Sequence, residues 1–256
     1  MNYDKNAPVA VFDSGAGGIA VLRAIRSRLP RENLLYFGDS AMAPYGERRA
    51  DEVRRLAIDH ADTLLVRAKA LVIACNTATA VAAKEIRERH EGTIVIGMEP
   101  ALRSAVNVAR EPRVLVMATE LTLREGRFSA LAAGFGSACT VLPLCAPEII
   151  RLVERGEENS LKMLDYIGEL LAPYRATPPD AVVLGCTHFC FVREAIANAI
   201  GRDVPIFDGV TGTVGQLIRR LSAAELLREE PSRGVVTMTS SDSRALPLFA
   251  RLLFME

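Results

Sequence analysis

The sequence is poor in residue types that mark several protein classes. Of its 256 residues none is tryptophan, three are histidine and five are cysteine, and Lys plus Arg balances Asp plus Glu at 31 each. A sparse and odd set of cysteines does not make a disulfide scaffold, so we expect reduced thiols and a cytoplasmic location. With a formal net charge of zero, the chain has no overall field that would attract nucleic acid or an anionic membrane as its main partner.

Long apolar runs are also missing. No stretch reaches the roughly 18 residues that a membrane span requires, and the start MNYDKNAPV lacks the apolar centre of a secretory signal. We therefore expect no membrane partner. Hydrophobic residues nevertheless make up 50% of the chain, which is enough for a large core, and the length suits one large domain or two small ones.

Short apolar runs alternate with longer segments of helical period. Continuous apolar strands between helices are typical of parallel sheets that are covered on both faces, so the fold class is α/β. The predicted helices include Glu47–Ala68, Thr79–His90 and Glu148–Leu171. The predicted strands are Val9–Phe12, Leu34–Phe37, Leu71–Ala74, Ile94–Gly97, Arg113–Met117, Thr140–Leu142, Ala181–Leu184, Val204–Phe207 and Val235–Met238.

The chain contains a faint internal repeat. The stretch PVAVFDSG near the start resembles PRVLVMAT in the second half, and ALVIACNTATA resembles AVVLGCTHFC. Cys75 and Cys186 follow the apolar strands of the second pair, and Glu99 and Asp208 follow those of a third pair. Because the three pairs occur in the same order at a similar spacing, we predict two pseudo-symmetric halves.

The repeat predicts where the domains divide. Residues 1–97 together with 208–256 are expected to form a first α/β domain, which carries Cys75. Residues 98–207 are expected to form a second one, which carries Cys186. The last segment has no counterpart in the second half, so we expect it to return and complete the first domain. Both domains should be open, with mainly parallel sheets.

The stretch VAVFDSGAGGIAVLRAI allows two interpretations. Gly15, Gly17 and Ala20 fit the spacing of a dinucleotide fingerprint, and Asp39 ends the next strand, where a ribose-binding acid is expected. Against this, Asp13 would place a negative charge where the pyrophosphate lies. The alternative is a tight strand-to-helix turn, whose free N–H groups suit a smaller anion such as a carboxylate.

Two of the cysteines stand in places that suit chemistry. Cys75 and Cys186 each follow the last residue of a strand, at the edge where open α/β sheets bind ligands. The N-terminus of the following helix is expected to lower the pKa of each thiol and favour a thiolate. Cys139 and Cys145 lie in or beside an apolar strand, and we expect them to be packing residues.

Three chemistries compete for these thiols. A zinc site from Cys186, His188 and Cys190 is disfavoured, since the strand is turning there and no second ligand cluster follows, so we expect no metal. A cysteine hydrolase needs one nucleophile and would leave Cys75 unused. Two thiols on facing halves could instead remove a proton from one side of a carbon acid and return one from the other, which inverts the stereocentre.

The motifs of the chain resemble those of the glutamate racemase family, within the aspartate/glutamate racemase superfamily. The resemblance is carried, in order from Pro8 to Gly215, by FDSGAGG, YFGDSAMAPYG, CNTATA, ATELT, GCTHF and DG. It implies a cofactor-independent, homodimeric enzyme with its active site in the cleft between two domains. The implied activity is interconversion of L- and D-glutamate, which supplies D-glutamate for peptidoglycan.

The resemblance also implies roles for individual residues. Cys75 and Cys186 match the two groups that exchange the α-proton, and Asp13 and His188 match the groups that assist them. Glu154 is either a further acid of the second domain or a solvated helix residue. The matched substrate-binding residues are Ser14, Pro44, Tyr45, Gly46, Asn76, Thr77, Thr119, Thr122 and Thr187.

The chain departs from the family pattern after GCTH. Where an aromatic residue and a proline commonly follow, this chain has Phe189 and Cys190, so Cys190 is a possible oxidation partner of Cys186. Asp39 and Asp208 are expected to act as structural caps. Two alternatives stay open: a racemase of the superfamily that acts on aspartate or hydantoins, and a regulator that inhibits DNA gyrase.

Overall fold

The computed structural model describes residues 4–125, 130 and 133–255, and its strands form two parallel sheets. Every strand pair in both sheets is parallel. This confirms the α/β class with mainly parallel sheets. The strands are β1 Val9–Asp13, β2 Leu34–Gly38, β3 Ala70–Ile73, β4 Ile94–Gly97, β5 Arg113–Ala118, β6 Thr140–Cys145, β7 Ala181–Gly185, β8 Ile206–Asp208 and β9 Val236–Ser240.

The two sheets share one strand order. The first sheet runs β4-β3-β1-β2-β9, and the second, read from its far edge, runs β8-β7-β5-β6. The strands before Cys75 and Cys186, β3 and β7, therefore take the same place beside β1 and β5. The strand β9 pairs with β2 at the edge of the first sheet, and no strand of the second sheet among the described residues takes the equivalent place.

Helices cover the sheets and bury their apolar side chains. In β1, Val9 and Val11 pack on one face and Ala10 and Phe12 on the other, because successive strand residues point to opposite faces. Each face belongs to a separate buried cluster. The described helices are α1 Ile19–Arg28, α2 Ala50–Leu65, α3 Asn76–Arg89, α4 Leu102–Ala105, α5 Glu120–Arg124, α6 Pro147–Glu154, α7 Leu161–Leu171, α8 Arg193–Ile200, α9 Val210–Ala223 and α10 Leu246–Phe254.

The prediction of one helix over Glu148–Leu171 is wrong, because the chain breaks between α6 and α7. Gly156 has a positive φ of 76°, which ends the first helix, and the Ser160 side chain accepts a hydrogen bond from Met163 N at 3.1 Å and begins the second. The apolar period continues across the break, so the pattern does not reveal it. The predicted strand Val204–Phe207 is likewise displaced by two residues at its start.

The segment predicted as helix from Glu47 also begins differently. Residues Tyr45–Glu47 form a single 3₁₀ turn, and α2 starts only at Ala50. None of the described helices is long and apolar enough to cross a membrane.

We predict that Gly156→Ala lowers the free energy of unfolding by about 1 kcal/mol, because an L-residue is strained at this positive φ. Urea unfolding followed by circular dichroism would measure the change. The matched control is Gly168→Ala inside α7, where an added Cβ meets only ordinary contact at 3.6 Å and should stabilise the helix slightly. Equal destabilisation by both substitutions would contradict the role given to Gly156.

Candidate active site

The glycine-rich turn after β1 is where the two halves of the molecule meet. A Cβ on Gly15 would lie 2.0 Å from Glu154 Oε1, and a Cβ on Gly17 would lie 2.3 Å from Thr187 Oγ1 and 2.5 Å from His188 Nδ1. Glycine is therefore required here so that side chains from the second half can approach the backbone. Since these side chains occupy the turn, its glycines do not serve the dinucleotide interpretation.

Asp13, at the end of β1, links the two halves. Its side chain is fully buried, and its Oδ1 accepts hydrogen bonds from Gly15 N at 3.0 Å and from Ser14 Oγ at 3.4 Å. Its Oδ2 accepts a hydrogen bond from Thr187 Oγ1, 3.1 Å away in the other half. Burial raises the pKa of this carboxyl to about 6, although the charge of His188 and the bond from Gly15 oppose the rise.

Cys75 lies next to this carboxylate at the start of α3. Its Sγ accepts a hydrogen bond from Ala78 N at 3.4 Å and donates to Ser14 Oγ at 3.7 Å. The prediction that the helix makes this thiol acidic is wrong. Burial, aided by the charge of Asp13, raises the pKa of Cys75 to about 12, because the loss of solvation outweighs the helix N–H groups. Cys75 is therefore a neutral thiol near pH 7.

Cys186 has a different set of neighbours. Its Sγ lies 3.6 Å from His188 Nδ1, and His188 Nε2 lies 2.6 Å from Glu154 Oε1. Burial alone would lower the pKa of His188, but the hydrogen bonds to Cys186 and Glu154 raise it well above the ordinary value. An imidazolium thus stands beside the sulfur of Cys186, and a charge on Cys186 is near enough to raise the pKa of Cys75.

Glu154 is not a solvated helix residue. Its Oε1 also accepts a hydrogen bond from Ala16 N at 2.7 Å, so that one carboxylate oxygen joins the glycine-rich turn to His188. The side chain is 18% exposed and lines a surface cavity with Pro44 and Arg151. The local sequence gives no sign of this contact, because α6 and the turn are far apart along the chain.

Three threonine hydroxyls form a second polar group beside Cys75. Thr77 Oγ1 lies 3.0 Å from Thr119 Oγ1 and 3.1 Å from Thr122 Oγ1, and Thr119 also caps α5 by accepting from Thr122 N. A Cβ on Gly46 would lie 2.5 Å from Thr119 Cβ, so the loop before α2 rests on this group. The structure thus brings the threonines of both halves together with Gly46.

Among the predicted binding residues, Asn76 stands out because its buried side-chain amide lacks hydrogen-bond partners within the described residues. It is buried at 4% exposure, and neither its Oδ1 nor its Nδ2 has a hydrogen-bond partner among the residues that the structure describes. A buried amide is normally hydrogen-bonded, since leaving it unpaired is unfavourable by about 1–3 kcal/mol. The position next to Cys75 therefore suits a polar ligand that pairs with both atoms of the amide.

Other predicted residues have structural partners. The Tyr45 hydroxyl donates to Asp39 Oδ2 at 2.7 Å, so its phenol is already engaged. The Asp39 side chain makes no cap bond to a helix, which corrects the sequence interpretation. Asp208 is not the N-cap of α9, which is Gly209, but its Oδ1 accepts a hydrogen bond from Val210 N at 2.9 Å just before that helix. His60, which lies 3.0 Å from Asp39 Oδ2, was not found from the sequence.

The remaining thiols are unpaired. All five cysteines are free, and burial raises the pKa of Cys190. Among residues 4–125, 130 and 133–255, no group of three or more His, Cys, Asp or Glu side chains is placed to hold a metal ion. Cys145 is exposed, which contradicts its interpretation as a packing residue, and it lines a cavity with Gly46 and Thr119.

Comparison with known proteins identifies the family. Residues 18–217 match the family described as Asp/Glu/Hydantoin racemase. The chain belongs to this racemase family. A relative from Clostridium acetobutylicum, named glutamate racemase, is 42% identical over 252 residues, which are 97% of this chain and 98% of the relative.

Solved racemase structures share the fold. Glutamate racemase from Francisella tularensis, crystallised with D-glutamate, superposes with a TM-score of 0.85 at 26% identity, covering 99% of this chain and 95% of that one. Glutamate racemase from Thermus thermophilus, crystallised with β-chloro-D-alanine, has a TM-score of 0.84 at 34% identity, covering 98% and 94%. The two-domain α/β racemase fold is thereby confirmed.

The raised pKa of the buried Asp13 predicts how the stability of the protein depends on pH. Because its pKa is about 6 in the folded protein and near 3.8 when unfolded, the folded state holds the proton more tightly. The contribution of Asp13 to the free energy of unfolding therefore falls as pH rises through this window. Asp13→Asn removes the titration. The free energy of unfolding of the variant, taken relative to that of the wild type, should therefore be about 1–3 kcal/mol higher at pH 7.5 than at pH 4.

Urea unfolding at the two pH values would measure that gain. The control is Asp203→Asn at an exposed position, which should shift stability equally at both. If Asp13→Asn changed the free energy of unfolding relative to wild type by the same amount at pH 7.5 and at pH 4, the charged form of Asp13 would not be disfavoured by burial.

Proposed function

We propose that this racemase is a glutamate racemase, which interconverts L- and D-glutamate without a cofactor. The observation that carries the proposal is the position of two buried thiols. Cys75 and Cys186 follow equivalent strands, β3 and β7, of two sheets with the same strand order, and Asp13 joins their surroundings across the two halves. The relatives that are named glutamate racemase support the substrate.

The geometry suits proton removal and return by different sulfurs. With L-glutamate bound, Cys186 acts as the base and accepts the α-proton, with the imidazolium of His188 beside its sulfur. The neutral thiol of Cys75 then donates a proton to the opposite face of the carbanion, and D-glutamate leaves. The reverse reaction uses the same two sulfurs in exchanged roles, with Cys75 accepting the proton and Cys186 donating one.

The surroundings of each sulfur assist these steps. When Cys75 has given up its proton, two negative charges would stand next to each other. In the reverse direction the proton of the Cys75 thiol can pass through the Ser14 hydroxyl to Asp13, whose raised pKa of about 6 lets the carboxyl hold it, so that the Cys75 thiolate does not face a second negative charge. On the other side Glu154 keeps His188 oriented and charged through the 2.6 Å bond to Nε2. Both acids therefore act on the sulfurs and not on the substrate directly.

Neutral donors are proposed to bind the two carboxylates of the substrate. The amide of Asn76 and the N–H groups of the turns can donate without a permanent cation, and the hydroxyls of Ser14 and Thr187 can do so when they turn from Asp13 to the substrate. This matters because an arginine at the same place would also pair with the thiolates and hold them in an unreactive form. The remaining members of the proposed set are Pro44, Tyr45, Gly46, Thr77, Thr119 and Thr122.

The setting of the reaction follows from the family resemblance. We propose that the product D-glutamate serves peptidoglycan synthesis in the cytoplasm and that the enzyme is a homodimer. The domains are proposed to divide as residues 1–97 with 208–256, and residues 98–207. No nucleic acid or membrane partner is part of the proposal.

We predict that Cys75→Ala and Cys186→Ala each lower kcat for racemisation by about 10²- to 10⁴-fold or more, since each direction needs one sulfur as base and the other as acid. Circular dichroism of either glutamate enantiomer, with no cofactor added, would measure the rate. Cys139→Ala is the matched control outside the site and should retain activity. Racemisation by either alanine variant at the wild-type rate would overturn the two-thiol mechanism.

A solvent-isotope experiment tests the separation of the two thiols. Starting from L-glutamate in D₂O, we expect early D-glutamate to carry α-deuterium while the remaining L-glutamate stays protiated, because Cys75 delivers the solvent-derived proton to one face only. Mass spectrometry of the separated enantiomers at low conversion would show the distribution. Equal early labelling of both enantiomers would indicate one group that serves both faces.

A further inference from the structure

A cluster of three polar side chains lies under the proposed substrate site and takes no part in the proton transfers. Asp39 follows β2, Tyr45 belongs to the loop before α2, and His60 comes from α2. Asp39 Oδ2 accepts the Tyr45 hydroxyl at 2.7 Å and lies 3.0 Å from His60 Nε2. The Asp39 and Tyr45 side chains are almost fully buried.

The cluster has a defined proton arrangement. Burial alone would raise the pKa of Asp39. Hydrogen bonds from His60, Ser241 and Tyr45 lower the pKa by more than burial raises it, so that the pKa lies below its usual value. Asp39 is therefore a carboxylate near neutral pH and can only accept. The network thus assigns the proton of His60 to Nε2, which donates to Oδ2.

Two aromatic rings hold His60 in place. Its ring centroid is 4.6 Å from that of Phe37 and 5.4 Å from that of Phe12, both in tilted arrangements. Phe12 directly precedes Asp13 in β1, so the ring is fixed against the strand that carries the shared carboxylate. His60 is consequently a rigid donor from α2 and not a mobile surface side chain.

Tyr45 transmits this support to the substrate site. It is 1% exposed, and the next residue, Gly46, rests on Thr119, whose hydroxyl lies 3.0 Å from that of Thr77. The depth to which the Tyr45 phenol is held therefore sets how closely Gly46 approaches the threonines of the other half. If the Tyr45 phenol lost its hydrogen bond to Asp39, or if the Asp39 side chain itself became mobile, the loop could move away from Thr119.

We infer that His60 is a positioning residue of this racemase: through its hydrogen bond to Asp39 it fixes Tyr45, and thereby the Pro44–Gly46 wall of the substrate site. The inference rests on the proposed function for its kinetic consequence. Because the wall binds the substrate and does not exchange protons, loss of the His60 hydrogen bond should weaken ground-state and transition-state binding together. It should thus raise KM and leave kcat nearly unchanged.

Two substitutions separate the hydrogen bond from the ring. His60→Phe retains an aromatic ring against Phe12 and Phe37 but removes the donor, whereas His60→Gln can place an amide N–H near the position of Nε2. We expect His60→Phe to raise KM for both glutamate enantiomers about tenfold, as one lost bond to a charged group would. His60→Gln should stay within about twofold of wild type.

His90→Phe is the matched control. His90 has the same side-chain exposure of 22% and also meets a carboxylate, Asp62, at 2.7 Å, but it follows the far end of α3 from Cys75. It should leave KM unchanged. Equal KM increases in His60→Phe and His60→Gln, or none in His60→Phe, would overturn the inference.

Amide hydrogen exchange provides a readout that does not depend on activity. The N–H of Arg48 bonds to Tyr45 O at 3.2 Å and that of Glu47 to Pro44 O at 3.4 Å. Peptides that span residues 40–48 should exchange faster in His60→Phe than in wild type or His60→Gln. Unchanged exchange in His60→Phe would contradict the inference. A wild-type protein that is inactive on glutamate would reject the proposed function, but it would leave the exchange test of the inference intact.

If His60→Phe fails to fold, Tyr45→Phe decides the question. This variant removes the hydroxyl from the other side of Asp39 and leaves His60 in place. It should raise KM by a similar factor and speed the same amide exchange. Normal KM and normal exchange in Tyr45→Phe would show that the bond to Asp39 does not set the position of the wall.

Discussion

The structure depends on one buried carboxylate that two halves of the chain share. Asp13 ends the first strand, yet its Oδ2 accepts a hydrogen bond from Thr187, the residue after Cys186 in the other half, and its neighbour Ser14 accepts one from Cys75. Burying an ionisable group without a cation directly on it is unfavourable, which is why its pKa rises to about 6. The unfavourable burial is retained at the place where proton transfer is proposed. A carboxyl that titrates near neutral pH can compensate for charge on a neighbouring sulfur, whereas an ordinary surface aspartate would stay ionised.

This constraint explains the residues around it. Gly15 and Gly17 lack side chains because Glu154, Thr187 and His188 fill the space a Cβ would need. At Gly15 and Gly17 the first half thus presents its backbone to polar side chains of the second half. Polar contacts of this kind can separate and reform in water more readily than an apolar interface, because the exposed groups are solvated when parted. Such an interface suits a site whose thiols are both nearly inaccessible in the form described here, and to which a substrate must still gain access.

The sequence predicts the edge of the molecule at which the chemistry lies, but not the environment of each group. In parallel sheets the carboxyl ends of the strands share one edge, so Asp13, Cys75 and Cys186 could be placed there from strand order alone. Local patterns could not show that burial would outweigh the helix at Cys75, since burial depends on contacts with remote segments. For the same reason the bond between Glu154 and His188 and the bonds of Asp39 to Tyr45 and His60 were missed. The break at Gly156 was missed because the apolar period of α6 continues into α7.

The two halves share a strand order but not an electrostatic design. Cys75 is buried beside the carboxyl of Asp13, and both the burial and the carboxylate charge favour its neutral thiol, whereas Cys186 stands beside an imidazolium held by Glu154. The surroundings of the two sulfurs therefore differ in charge. This difference does not bias the product, because enantiomers have equal free energies in water, so the ratio of kcat/KM values in the two directions must equal one. The environments can therefore diverge between the halves as long as their combined effect on the proton transfers is retained.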